Sequence, residues 1–163
     1  MNLIVAVDKN WGIGKNNKLL VSIPSDMKYF RETTTNKVVV MGRKTLESFP
    51  GGKPLPNRTN IVITTDQNYK KEGAVFVHDM EALKKELKNH EESNVFVIGG
   101  ESVYKALLPL CKKAYITKID HAYDADTYFP DLDQDENWKM TQTSEEQTYF
   151  DLEFVYTIYE RIS

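Results

Sequence analysis

A chain of 163 residues, 40% hydrophobic and 28% charged, is long enough for one domain with a buried core. Its net charge of −3 offers no global attraction to nucleic acid, and no apolar run approaches the roughly 20 residues that cross a bilayer. The single cysteine, Cys111, leaves no intramolecular disulfide and fits a reducing, cytoplasmic setting.

The first segment, MNLIVAVDKNWGIGKNN, lacks the basic start and small-residue cleavage site of a signal peptide. Its apolar run over 3–7 ends at Asp8, so it reads as a strand. From Pro24 the spacing predicts a helix over 24–34. Asp26, Met27 and Phe30 share one side of it, because residues three and four apart lie on a common face. Met27 and Phe30 make that side apolar, yet Asp26 places a carboxylate on it. One reading is a favourable first-turn acid. The other is a carboxylate that meets a ligand in a water-poor cleft.

The run 37–42, KVVVMG, predicts a strand, and RKTLESF over 43–49 a short helix. At the junction, Gly42, Arg43, Lys44 and Thr45 suit either a phosphate seat, with free N–H groups and two cations, or a solvated basic turn. The loop PGGKPLPNR over 50–58 is constrained by its prolines and ends in Arg58. That arginine suits a bidentate carboxylate clamp or an exposed salt bridge. NIVIT over 60–64 is the next strand, and Thr64 at its end with Thr65 beyond it suit a ribose, a phosphate or a simple turn.

AVFVH over 74–78 predicts another strand. DMEALKKELKNH over 79–90 predicts an amphipathic helix capped by Asp79. NVFVIGG over 94–100 is a strand that closes on Gly99-Gly100, where ESVYKALLPL opens a helix. Paired glycines let a backbone approach a ligand closely, although neither a dinucleotide fingerprint nor a P-loop is present. KAYITKI over 113–119 is a strand. The acid-rich stretch 120–136 lacks the EF-hand pattern and reads as a polar loop. The tail from 137 alternates on either side of a polar turn and predicts an antiparallel hairpin. His78, His90 and His121 show no metal-ligand spacing with one another or with Cys111, so no metal is expected. No motif for covalent catalysis is present. The apolar, β-branched runs predict a mostly parallel α/β sheet with an antiparallel C-terminal pair, and ligands beyond the carboxyl ends of its strands.

Taken in order, LIVAVDKNWGIGKNNKL, IPSDMKYFRETT, VVMGRKTLESF, PLPNRTNIVIT, VFVIGGESVYKALLP and YITKIDHAYDADTYFP resemble the dihydrofolate reductases of the bacterial chromosomal type. The resemblance spans the whole chain. It implies one domain over 1–163, with a central eight-stranded sheet, seven strands parallel, flanked by helices. It also implies NADPH-dependent reduction of 7,8-dihydrofolate to tetrahydrofolate, in support of one-carbon metabolism, by a cytoplasmic monomer that antifolates inhibit.

By that resemblance, Asp26 holds the pterin with support from Thr117. Leu19, Met27 and Phe30 pack on the pterin and benzoyl group, over a floor of Ile4, Val5 and Ala6. Ser48, Phe49 and Leu55 border the benzoyl-glutamate, and Arg58 holds its α-carboxylate. Ala6, Ile13, Gly14 and Leu19 approach the cofactor from one side; Ile98 and Tyr104 lie near both nicotinamide and substrate. Gly99 and Gly100, joined by a cis peptide, approach the pyrophosphate, followed by Glu101, Ser102 and Val103 at the helix start. Gly42, Arg43, Lys44, Thr45, Ile63, Thr64 and Thr65 face the phosphates and the adenosine ribose, the cations favouring NADPH over NADH. Three departures stand out. Val21 replaces a tryptophan of the family, the loop at Gly51 to Lys53 is a residue longer, and Ser102 stands where some members carry arginine. Two other functions remain to be separated: the pyrimidine reductase of riboflavin synthesis and a non-catalytic nucleotide-binding module.

Overall fold

The structure, a computed structural model, describes residues 1–162. The strand β1 (Asn2–Val7) is the opening apolar run. The polar segment after it folds into a small hairpin, β2 (Gly12–Lys15) and β3 (Lys18–Leu19), turned at Asn16 and Asn17, both at positive φ. Helix α1 (Pro24–Thr34) follows with Pro24 in its first turn, where a missing N–H costs nothing. Then come β4 (Val38–Gly42), α2 (Arg43–Ser48), β5 (Thr59–Ile63) and β6 (Ala74–Val77). Helix α3 (Met80–Leu87) is capped by Asp79, whose Oδ1 accepts from the Ala82 N–H at 2.7 Å. The chain continues through β7 (Val95–Gly99), α4 (Glu101–Leu107), β8 (Lys113–Ile119) and β9 (Thr127–Tyr128). It ends in β10 (Trp138–Thr143), β11 (Gln147–Tyr149) and β12 (Leu152–Arg161). Among the described residues no helix is long and apolar enough to cross a membrane.

The main sheet runs β10-β12-β8-β1-β7-β4-β5-β6, with β11 hydrogen-bonded beside β12. Every pairing from β8 to β6 is parallel, and β12 is antiparallel to both its neighbours. Seven strands along that path therefore point one way and β12 alone is reversed. The tail is the expected hairpin, elaborated by β11, which folds onto β12 through a turn at Phe150 and Asp151.

Strands β4 and β7 are buried over nearly their whole length, which is why their sequences are continuous Val, Ile, Met and Phe instead of alternating. Side chains still alternate between faces. Leu3 and Val7 join one core, with Val40, Ile61 and Val97; Ile4 joins the other, with Val39, Met41, Val62 and Phe96. Each fully buried aliphatic side chain contributes about 1.5–3 kcal/mol, so the two cores fix the sheet's register firmly. That register brings the ends of β1, β4, β5, β7 and β8 to one edge: Gly42 pairs with Ile63, Met41 with Gly99, and Val7 with Lys118. A second sheet, β3-β2-β9, stands beside that edge.

Candidate active site

On the α1 face that carries Asp26, Met27 and Phe30, only Phe30 packs against the core that holds Ile4. Met27 is 43% exposed, while Asp26 and Phe30 are half-buried. Opposite α1, Thr117 on β8 is buried, and its Oγ1 donates to Asp26 Oδ1 at 2.7 Å. Thr117 faces α1 because β8 lies between β1 and β12, with Ala6 and Tyr156 as its register partners. Burial pushes the Asp26 carboxyl above its ordinary range, and the Thr117 hydroxyl opposes that rise. A carboxylate so placed prefers either a proton or a ligand that offers hydrogen-bond donors.

Behind Asp26, Tyr29 lies against Tyr156, ring centroids 4.3 Å apart, and burial raises both phenols. Val21 is half-buried against Ile23, Ile119 and Phe154, and brings no polar group to this wall. The floor is β1: Ile4 is buried, Val5 and Ala6 half-buried, and the Ile4 carbonyl accepts from the Tyr104 hydroxyl at 2.7 Å. That contact fixes the start of α4 against β1. Ile98 is buried on β7. Phe49 and Leu55, both half-buried, pack on the same core as Ile4 and Phe30. Ser48 turns back onto its own helix, its Oγ donating to the Thr45 carbonyl at 2.6 Å.

At the far end, Arg58 is held by two of its own donors. Nε reaches the Pro56 carbonyl at 2.9 Å, and Nη1 reaches Thr34 Oγ1 at 3.0 Å. Burial and the neighbouring Arg31 charge both lower its pKa, so an anion here would be welcomed twice over. Arg31, in the last turn of α1, escaped the sequence reading; its position one helical turn past Met27 is the signal that places it at this end.

The opposite half of the edge is built from glycine. The Gly99–Gly100 peptide is cis and Gly99 has φ +136°, open to glycine alone. A Cβ on Gly99 would lie 3.2 Å from Thr45 Oγ1, and one on Gly42 3.2 Å from Val103 Cγ2. The start of α2 and the start of α4 thus form a bare-backbone cradle, into which side chains would intrude. Phosphate groups of a nucleotide fit such a cradle. Arg43 stands over the Tyr69 ring at 5.5 Å, with Asp66 at 3.9 Å and Glu47 at 4.0 Å, while Lys44 is exposed. Ile63 is half-buried at the end of β5. Thr64 is buried and its Oγ1 accepts from the Asp66 N–H at 3.2 Å; Thr65 is exposed. Ser102 is exposed and Val103 buried. The Glu101 carboxylate accepts from the Tyr128 N–H at 2.6 Å and pairs with Lys105 at 3.7 Å.

The β2–β3 hairpin carries the remaining residues. Ile13 is half-buried, Gly14 buried, and Leu19 62% exposed at the hairpin's end. At its root, Asp8 is buried and accepts three backbone N–H groups, from Asn10 and Gly12 at 2.8 Å and Tyr123 at 2.9 Å. Sequence alone showed Asp8 only as the end of a strand.

A parallel sheet whose edge joins a glycine cradle to a half-buried acid is the arrangement of an α/β nucleotide-using enzyme. The family model of dihydrofolate reductase matches residues 1–161. The chain is 39% identical to dihydrofolate reductase of Staphylococcus haemolyticus, with 99% of this chain and 96% of the relative covered. It is 38% identical to that of Bacillus subtilis, covering 99% and 94%. Among solved structures it superposes on dihydrofolate reductase from Enterococcus faecalis complexed with NADP(H) and RAB-propyl, at TM-score 0.88 and 35% identity, covering 99% and 96%. The chain belongs to the dihydrofolate reductase family.

Proposed function

We propose that this protein reduces 7,8-dihydrofolate to tetrahydrofolate with NADPH. The observation that carries the proposal is the Asp26–Thr117 pair in the cleft, hydrogen-bonded at 2.7 Å beside a glycine cradle. Asp26 has a free oxygen for the amino group and adjacent nitrogen of a pterin, while Thr117 holds the other. A ligand that donates two hydrogen bonds would pull the carboxyl back toward its ionised form. Phe30 and the β1 floor present apolar surface to a flat ring. Arg58, with Arg31 beside it, clamps the glutamate carboxylate. A pyrimidine reductase substrate has no such group, and this favours the folate reading.

When bound, the cofactor supplies the hydride that pterin C6 accepts. The Gly42 and Gly99–Gly100 backbone would hold its phosphates, with Arg43, Lys44 and Thr45 at their sides. The chain's own work is to fix both partners and shed bulk water. Asp26 polarises the ring from its far side, and the N5 proton comes from water.

Mixing the purified protein with NADPH and dihydrofolate, and following the nicotinamide absorbance, tests this. Turnover is expected in the wild type. Asp26→Asn should lose about a hundredfold or more at neutral pH while still binding NADPH. Near-normal turnover in Asp26→Asn would remove the carboxylate from the chemistry, and a wild type inert toward both compounds would leave only a nucleotide-binding module.

A further inference from the structure

Glu101 follows the cis glycine pair directly, as the first residue of α4. Its Oε2 takes the Tyr128 N–H at 2.6 Å, across 27 positions of sequence. A short bond to a carboxylate is among the stronger hydrogen bonds available. Tyr128 belongs to β9, which on its other side pairs with β2, Gly12 opposite Tyr128 and Gly14 opposite Thr127. That approach is close: a Cβ on Gly14 would lie 2.9 Å from Thr127 Oγ1 and 3.0 Å from the Lys18 carbonyl. The contact continues around the hairpin. The Asp126 N–H donates to the Gly14 carbonyl at 2.9 Å, the Asn16 N–H donates to Asp126 Oδ2 at 2.9 Å, and Lys15 meets Asp124 at 3.0 Å. From Gly14 the ladder passes to Leu19. An unbroken line of contacts therefore joins the glycine turn to the hairpin end, and the Glu101 side chain spans its first gap.

We propose that Glu101 is a positioning residue that ties the glycine turn to the β2–β3 hairpin through β9, so that filling the turn with a dinucleotide also settles the hairpin over the cleft. The inference rests on the NADPH reading given above. It requires the carboxylate's reach and its acceptor oxygen; the charge strengthens the bond, but the neutral N–H it serves needs only an acceptor within reach. The substitution Glu101→Gln keeps both; an aspartate at this position is one methylene short, and alanine has neither.

The hairpin carries its own reporter. Lys15 and Lys18 flank the Asn16–Asn17 turn, and trypsin cleaves after lysine where backbone opens. We expect NADPH to slow cleavage at these two lysines about tenfold in the wild type. Glu101→Gln should be protected like the wild type. Glu101→Asp and Glu101→Ala should still bind NADPH, with Kd raised about three- to tenfold, but at saturating NADPH their hairpins should be cut nearly as fast as without it. Their KM for dihydrofolate should hold while kcat falls. Full protection of Glu101→Asp and Glu101→Ala would overturn the inference, as would tighter NADPH binding in Glu101→Ala, which would mean the carboxylate merely repels phosphate. Should alanine cost the fold, Glu101→Asp keeps the helix-start acid and carries the same test. A wild type that binds no NADPH would defeat the cofactor reading itself, a separate outcome from failure of the tie.

Discussion

Replacing Thr117 by valine keeps the side chain's shape on β8 and removes the hydroxyl that donates to Asp26. Thr117 is only 3% exposed, so water cannot easily take the hydroxyl's place. Hydrogen bonds to ionised groups contribute at least about 1.5 kcal/mol, the equivalent of roughly one pH unit. Burial already raises the Asp26 carboxyl and the Thr117 bond is what restrains it, so the substitution must push it further up. Whichever limb of the pH–rate profile Asp26 governs should therefore move to higher pH by about one unit. The assay is kcat/KM for dihydrofolate at saturating NADPH, measured across acid and alkaline pH in wild type and Thr117→Val. Limbs that stay in place, or move to lower pH, would refute the electrostatic account of the pair.

Asp26→Asn should also make the free protein more stable at neutral pH. A group whose folded pKa lies above its unfolded one stabilises fully below the unfolded value, near 3.8, and loses that contribution as pH rises through the folded value. Melting temperatures should therefore coincide in acid and separate at neutral pH, the variant higher; a lower neutral Tm would reverse the sign. Arg58→Ala should raise KM for dihydrofolate about tenfold with kcat nearly unchanged, and Arg58→Lys should recover only part of it, because the guanidinium fork is lost. An unaltered KM would show that Arg58 serves only Thr34 and Pro56. Val21→Trp should change antifolate affinity or the pH profile by adding an indole donor beside the cleft; if neither moves, that position has little to do with the chemistry.

The buried strands could be read because a strand covered on both faces is apolar throughout, as Val38 to Met41 and Val95 to Ile98 are. Asp79 and Pro24 marked their helices by chemistry that acts within one turn. The small sheet β3-β2-β9 escaped because its stability comes from tertiary contacts to a polar segment, although Asn16-Asn17 carried a turn signal that could have been used. The face of α1 was legible as a pattern, but its spacing alone left a ligand-facing acid and a first-turn acid as open readings, and the family resemblance decided between them. An apolar side that awaits a ligand reads the same as one that meets a core. Arg31, Tyr29 and Asp8 stayed hidden for a related reason: each matters through a partner distant in sequence. Glu101 could be placed near the glycine turn, but the N–H it would accept lay in a loop whose course no local signal gives.

Strand β12 is inserted between β10 and β8, and Tyr156 pairs with Thr117. A chain that stops at residue 151 therefore contains Asp26, Thr117 and both glycine turns, yet lacks the neighbour that holds β8 on its outer side. Such a truncated chain is expected to keep all its reactive groups and to lack activity. Supplying the missing stretch in trans as a peptide would be a stringent way to switch activity on.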